Sequence, residues 1–419
     1  VPAPSFTMVY DCFFPADMLT FYDTGVKISS QHMINKEVTN MNKKEVLEIR
    51  KQFSPENCAI TRICGCYVDH EKEKKMEMKK AFLSLPEEEA FKYFDIFKHT
   101  LSGTIGKNLI NMEFPLDQEL NGGTQEFLMK LKNSKLQDDL LLEEFYDKVV
   151  ESYEYGENYY IILIHAVYDV PGKTKDGLEM EDASDTVYEH ILCSICPVNL
   201  TKAGLTYNAQ TNNIEDRIRD WFVEAPVKGF LFPAFQDRAA DVHNVLYYTK
   251  KSEDLQPEMI DQLLGAKMPM SADTQKETFQ MIIEDTLGED GDYETVRNIH
   301  ETLNELIEEH KEDPDPLSLD KTDVKKIFEQ SGVSNEKMEN FDQNFEENAG
   351  EKASLLASNI AETKKFNIET PDVVIKVNPE RMDLVETRMI DGRQCLVIPV
   401  DDHIEVNGLN VRTMKIKTE

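Results

Sequence analysis

The sequence predicts an α+β protein: an antiparallel sheet with packed helices, an acidic helical region and a C-terminal β-hairpin segment. Three observations predict it. Two long apolar runs, 159–170 and 188–198, are rich in β-branched and aromatic residues and flank a polar, glycine-containing connector at 171–187. Residues 251–350 read as helices and connectors and carry 27 acidic against 9 basic side chains, more than half of the chain's net charge of −33. Asp391-Gly392 and Asn407-Gly408 each stand between apolar runs, and both dipeptides favour the type I′ turn of a tight hairpin.

Taken in order, the first forty residues show no helix or strand period and no signal-peptide progression. Lys36-Glu37-Val38 can be encoded as AAG-GAG-GTN, which contains a bacterial ribosome-binding sequence just ahead of the Met41 codon. Residues 1–40 are therefore expected to be a translated leader, with a genuine N-terminal extension as the alternative. An amphipathic helix follows at 42–53, then a strand over 58–68, where Ile60, Arg62, Cys64, Cys66 and Val68 alternate. Pro86 and three glutamates open a helix whose Phe91, Phe94 and Phe97 form a core-facing stripe. Asn121-Gly122-Gly123-Thr124 is a turn and cap before a helix at 125–134, and another helix spans 139–154. Beyond the two apolar runs, strands are expected at 205–208, 229–235 and 242–249. Helices fill 255–348, broken at 288–291 and at Asp313-Pro314-Asp315-Pro316, and a strand at 373–377 precedes the two hairpins. The expected divisions are 1–40, an α+β domain at 41–250, the acidic helices at 251–350 and the strand-rich end at 351–419.

A 419-residue chain that is 40% hydrophobic can bury a large core. Its 21 Phe and 15 Tyr are too many for a disordered chain. The charge of −33 opposes nonspecific attraction to phosphate or to an anionic membrane. Seven cysteines without regular spacing point to reduced thiols and a cytoplasmic setting, and no apolar run reaches a membrane span.

Several groups of residues could carry chemistry. Cys64-Gly65-Cys66 and Cys193-Ser194-Ile195-Cys196 together offer four thiolates to zinc, but residues three apart on a strand face opposite sides, so buried free thiols are the plainer reading. Gly103-Thr104-Ile105-Gly106-Lys107-Asn108 has its glycines two residues too close for a phosphate loop and lacks the metal-binding hydroxyl. The densest polar cluster is Asp237, Arg238, Asp241, His243 and Asn244, in the 236–244 hairpin connection. A carboxylate there could orient an imidazole, although aspartate and asparagine also do ordinary turn work. His165, on an apolar face with Ile161 and Leu163, reads as a satisfied core histidine. Residues 323–347 have a helix–turn–helix outline around Gly332, yet Glu336, Glu339, Asp342, Glu346 and Glu347 oppose docking against phosphates. Lys72, Lys74, Lys75, Lys79 and Lys80 alternate with glutamates as a solvated face. No cofactor fingerprint is present.

Several stretches together, Arg62-Ile63-Cys64-Gly65-Cys66-Tyr67-Val68, Leu101-Ser102-Gly103, Gly229-Phe230-Leu231-Phe232-Pro233-Ala234-Phe235 and His243-Asn244-Val245-Leu246-Tyr247-Tyr248, resemble an uncharacterised Firmicutes domain-of-unknown-function family. The resemblance runs from Met41 to the C-terminus and implies no activity. The order of elements is also similar to that of the bacterial 37-kDa nucleoid-associated protein family, a likeness of architecture that carries over no site residue. The expected function is accordingly a cytoplasmic, non-catalytic binding or scaffold protein that meets a protein partner or itself, with nucleoid association as one form of that role. The alternatives are an enzyme with its site at 236–244 and a structural zinc protein.

Overall fold

The chain begins its ordered course with a capped helix. Asn42 accepts from the backbone amides of Lys44 and Glu45, while the Glu45 carboxylate accepts from Asn42 N, closing a capping box ahead of α1 (Lys43–Lys51). This computed structural model describes residues 40–173, 179–288, 291–361, 365–400 and 404–411. The expectation for the first forty residues thus lies outside the described residues, Asn40 apart. After α1 come β1 (Ile60–Val68), β2 (Lys74–Ala81), α2 (Glu87–Thr100), β3 (Leu109–Glu113), α3 (Thr124–Asn133) and α4 (Asp139–Ser152). The long hairpin β4 (Tyr159–Lys173) and β5 (Glu179–Leu200) follows, and most of the connector read at 171–187 has strand backbone. Three short strands, β6 (Leu205–Asn208), β7 (Asn213–Asp216) and β8 (Trp221–Val223), make an excursion before β9 (Lys228–Phe232), β10 (Ala234–Gln236), β11 (Ala239–Asp241) and β12 (Asn244–Thr249).

The main sheet has the order β2-β1-β4-β5-β9-β12-β3, with β8 added beside β5, and every pairing is antiparallel. Helices cover both faces. On one side Leu131, Leu142, Phe145 and Val149 pack over Cys64, Ile161, Leu163 and Phe230; on the other, Ile49, Phe94 and Phe97 pack over Ile63, Ile162, Leu192 and Leu231. Two-sided burial explains why β4 and β5 read as continuous apolar runs, since neither face needs polar side chains.

The acidic stretch opens with a short helix, α5 (Pro257–Met259), and a π-turn at Ile260–Leu264, whose apolar side chains pack into the first core. Then α6 (Ala272–Leu287), α7 (Tyr293–Glu309), β13 (Ser318–Leu319), α8 (Lys321–Gln330), α9 (Asn335–Met338), α10 (Phe341–Ala349), β14 (Leu355–Leu356) and α11 (Ala357–Ile360) enclose a third core built on Phe279, Ile282, Ile299, Leu303, Phe328 and Phe341. The second helix of the helix–turn–helix outline is broken at Glu339-Asn340. Several of its acids are engaged within the chain: Lys325 pairs with Asp342 at 2.8 Å, Lys321 pairs with Glu346 at 2.6 Å, and Gln343 donates to Glu347 at 2.7 Å.

At the C-terminal end β15 (Phe366–Glu369) pairs with β16 (Val374–Val377) over a small core of Phe366, Val377, Met382 and Val385. Both tight turns appear as the dipeptides require: β17 (Glu386–Ile390) meets β18 (Arg393–Val397) through Asp391 and Gly392, and β19 (Ile404–Val406) meets β20 (Leu409–Val411) through Asn407 and Gly408. All four turn residues have positive φ. Asn40–Glu419 form one compact unit.

Candidate functional site

The polar cluster at 236–244 divides. Asp237 and Arg238 form the two-residue turn between β10 and β11, both at positive φ. Arg238 donates to Glu48 of α1 at 3.0 Å and to the carbonyl of Pro171 at 2.8 Å, so it fastens the turn to the first helix and the long hairpin. The Tyr168 hydroxyl donates to the other Glu48 oxygen at 3.0 Å. Asp241 serves its own loop, accepting from His243 N at 3.0 Å and Asn244 Nδ2 at 2.6 Å. His243 turns the other way and pairs with Glu119 at 2.7 Å, which raises the imidazole pKa above its usual value. His243 lines an open cavity of about 290 Å³ with Glu113, Phe114 and Lys267.

The four cysteines are strand residues. Cys64, Cys66 and Cys193 lie in the core on one face of the sheet, while Cys196 lies in the core on the other. The four-thiolate zinc set therefore does not assemble, for the period-two reason that the sequence supplies. Burial pushes the Cys66 thiol up to about 12 and raises the others too, which leaves them protonated and inert. Among the described residues the one grouping of three possible ligands close enough to share an ion is Asp69, Glu71 and Glu73. It is the turn joining β1 to β2: Asp69 accepts from the Glu71 and Glu73 amides and pairs with Lys75.

Two buried lysines were not singled out in the sequence, and the core histidine that was has a partner at each ring nitrogen. Lys228 is buried yet paired, its amino group meeting Thr249 Oγ1 at 2.8 Å and Asp254 Oδ2 at 3.0 Å, and burial lowers its pKa. Lys132 lies 3.7 Å from Glu189. His165 is fully buried between Thr61 Oγ1, 2.6 Å from Nδ1, and Glu189 Oε1, 2.9 Å from Nε2. Desolvation lowers its pKa against the pull of Glu189, so the neutral ring donates from Nε2 to the carboxylate and accepts from Thr61. This is the satisfied core histidine read from the sequence. The Thr61 hydroxyl also lies 3.1 Å from the His165 carbonyl.

A larger concavity, about 630 Å³ and open, runs across one end of the sheet. Its floor crosses neighbouring strands: Met76 and Met78 of β2, Tyr67 of β1, Tyr160 of β4, Val198 of β5 and Val223 of β8. Tyr93 and Glu89 of α2 form one wall, and the Tyr93 and Tyr160 hydroxyls lie 3.4 Å apart. Gly65 makes the floor possible, because a Cβ there would stand 2.0 Å from the Tyr160 hydroxyl oxygen. Here the sequence reading missed β2, taking its lysines as a solvated face. The missed signal is Met76 and Met78 alternating with charged neighbours, a strand period.

Next to this groove the β6–β8 excursion exposes Leu205, Tyr207, Ile214, Ile218, Trp221 and Phe222. Trp221 is the chain's one tryptophan and Ile218 is 83% exposed. Residues 201–226 carry three basic and four acidic side chains, close to neutral in a strongly acidic chain.

These features define an α+β protein with a two-sided antiparallel sheet, buried unreactive thiols and an apolar surface at one sheet end. The chain belongs to the family described as a domain of unknown function, DUF4317, whose model matches residues 41–409. No curated protein matches it.

Proposed function

We propose that the protein is a non-catalytic binding protein of the bacterial cytoplasm that works by holding another polypeptide. The observation that carries the proposal is the exposed apolar excursion at β6–β8, with Trp221, Phe222, Ile218 and Leu205 facing solvent. Apolar side chains exposed in this number on one short segment point to an interaction site. Its near-neutral charge favours contact with another protein, because elsewhere two acidic surfaces would repel. No described helix is long and apolar enough to cross a membrane. Nucleoid association enters this proposal only as contact with a nucleoid protein, since the broken, acidic second helix is poorly suited to a DNA groove.

The test is sedimentation velocity over a wide concentration range, with wild type beside a variant carrying Leu205→Asp, Ile218→Asp and Phe222→Asp. Self-association in wild type that the variant abolishes supports the proposal, as does a purified partner that binds wild type alone. A strictly monomeric wild type that retains the same partners as the variant would sink it. Salt-steep binding to a labelled DNA duplex would replace it with a nucleic-acid reading.

A further inference from the structure

Strand β2 is the outermost strand of the main sheet and, among the described residues, is hydrogen-bonded to β1 alone. Its other edge offers the backbone donors and acceptors that an additional strand needs. The groove opens at that edge and runs inward across the neighbouring strands. Met76 stands opposite Tyr67 and Met78 opposite Gly65, which places both methionines on the groove side with Tyr93 and Tyr160.

Charge sets β2 apart from its surroundings. Residues 74–81 hold four lysines and one glutamate in a chain of net −33. Lys74 and Lys79 are held by Asp147 and Asp139 of α4, at 2.6 and 2.7 Å, and Lys75 by Asp69 at 3.0 Å. Lys80 is exposed and lines the groove beside Glu89. Edge lysines discourage indiscriminate pairing, because a neutral or basic strand would have to cover them uncompensated. An acidic strand meets no such penalty.

We infer that the free edge of β2 accepts an extended acidic polypeptide strand whose alternate side chains are apolar and enter the groove. Main-chain hydrogen bonds to β2 supply part of the affinity. Methionine and tyrosine side chains receive apolar residues on the groove face, and Lys80, on that same face opposite Ile63, selects for an acid where the strand passes it. Methionine suits a surface that takes varied apolar side chains, because its long, flexible thioether adapts to different shapes. Val223 borders the groove, so the exposed β8 segment extends the same surface. This inference rests on the binding reading above and names the chemistry of its partner.

The test uses the whole chain and a fluorescein-labelled peptide of about ten residues alternating Glu and Leu, with a Lys/Leu peptide as control. Anisotropy should show saturable binding of the acidic peptide only, weakened by added salt. Lys80→Glu should weaken it about tenfold, as reversal of a rim charge does, and Tyr93→Ala should weaken it as well. Hydrogen exchange should show new protection of the β2 amides when peptide is present. Equal binding of the basic peptide would overturn the inference, as would binding without β2 protection or a preference for a labelled oligo-dT strand. If sedimentation shows association through β6–β8 and neither peptide binds, the β2 inference alone falls; if both experiments are negative, the binding reading falls with it.

Discussion

His190 is buried on the face opposite His165, stacked on Tyr188 with ring centroids 4.4 Å apart, and neither ring nitrogen has a hydrogen-bond partner. Burial drives its pKa down from 6.5 to about 3. The folded protein therefore binds fewer protons than the unfolded chain, so stability held above the unfolded value is lost as the pH falls toward the folded one. By about pH 5 this one residue should cost about 2 kcal/mol. His190→Phe keeps a flat ring beside Tyr188 and removes both unpaired nitrogens, so its stability should fall less between pH 7 and about pH 5. Urea titrations of both proteins at the two pH values check this, and parallel losses would refute it. Residues of this kind are hard to find from sequence. The environment of His165 depends on Thr61 from a strand more than a hundred positions away, whereas the strand period correctly separated Cys193 from Cys196.

At the scale of single elements, legibility followed how local the determining physics is. The type I′ dipeptides at 391–392 and 407–408 act over three or four residues, and each formed where the residues require. The apolar runs of β4 and β5 were equally legible. Edge strands were not: β2 shows only two apolar residues on one face, and β3 gains its identity by pairing with β12. That helices cover both faces follows from the same apolar runs, but their order around the sheet does not. The groove escaped notice because its floor draws on five strands. Replacing Asn42 with Ala should remove the capping box of α1 and cost about 1 kcal/mol, the usual loss at such a cap. A shift in the urea midpoint at unchanged slope would register it. No shift would mean that α1 is held by Val46, Ile49 and the Glu48–Arg238 pair alone.

For the molecule as a whole, a charge of −33 stores self-repulsion that the folded state must bear. Raising NaCl from about 10 mM to about 0.2 M shortens the screening length several-fold and should raise the thermal midpoint. A fall instead would mean that attractive pairs such as Lys74–Asp147 and Lys321–Glu346 outweigh the repulsion. The strand order carries a consequence of its own. Between β1 and β3, both made early, lie four strands that are all made later: β4, β5, β9 and β12. A ribosome that has just finished α4 has produced helices for both faces of a sheet whose centre does not yet exist. Their apolar sides must wait through nearly a hundred further residues, until β12 arrives to seat β3. Over that interval the nascent chain is a client for any holding factor at the exit tunnel, and synthesis, more than local folding, sets when the sheet can close.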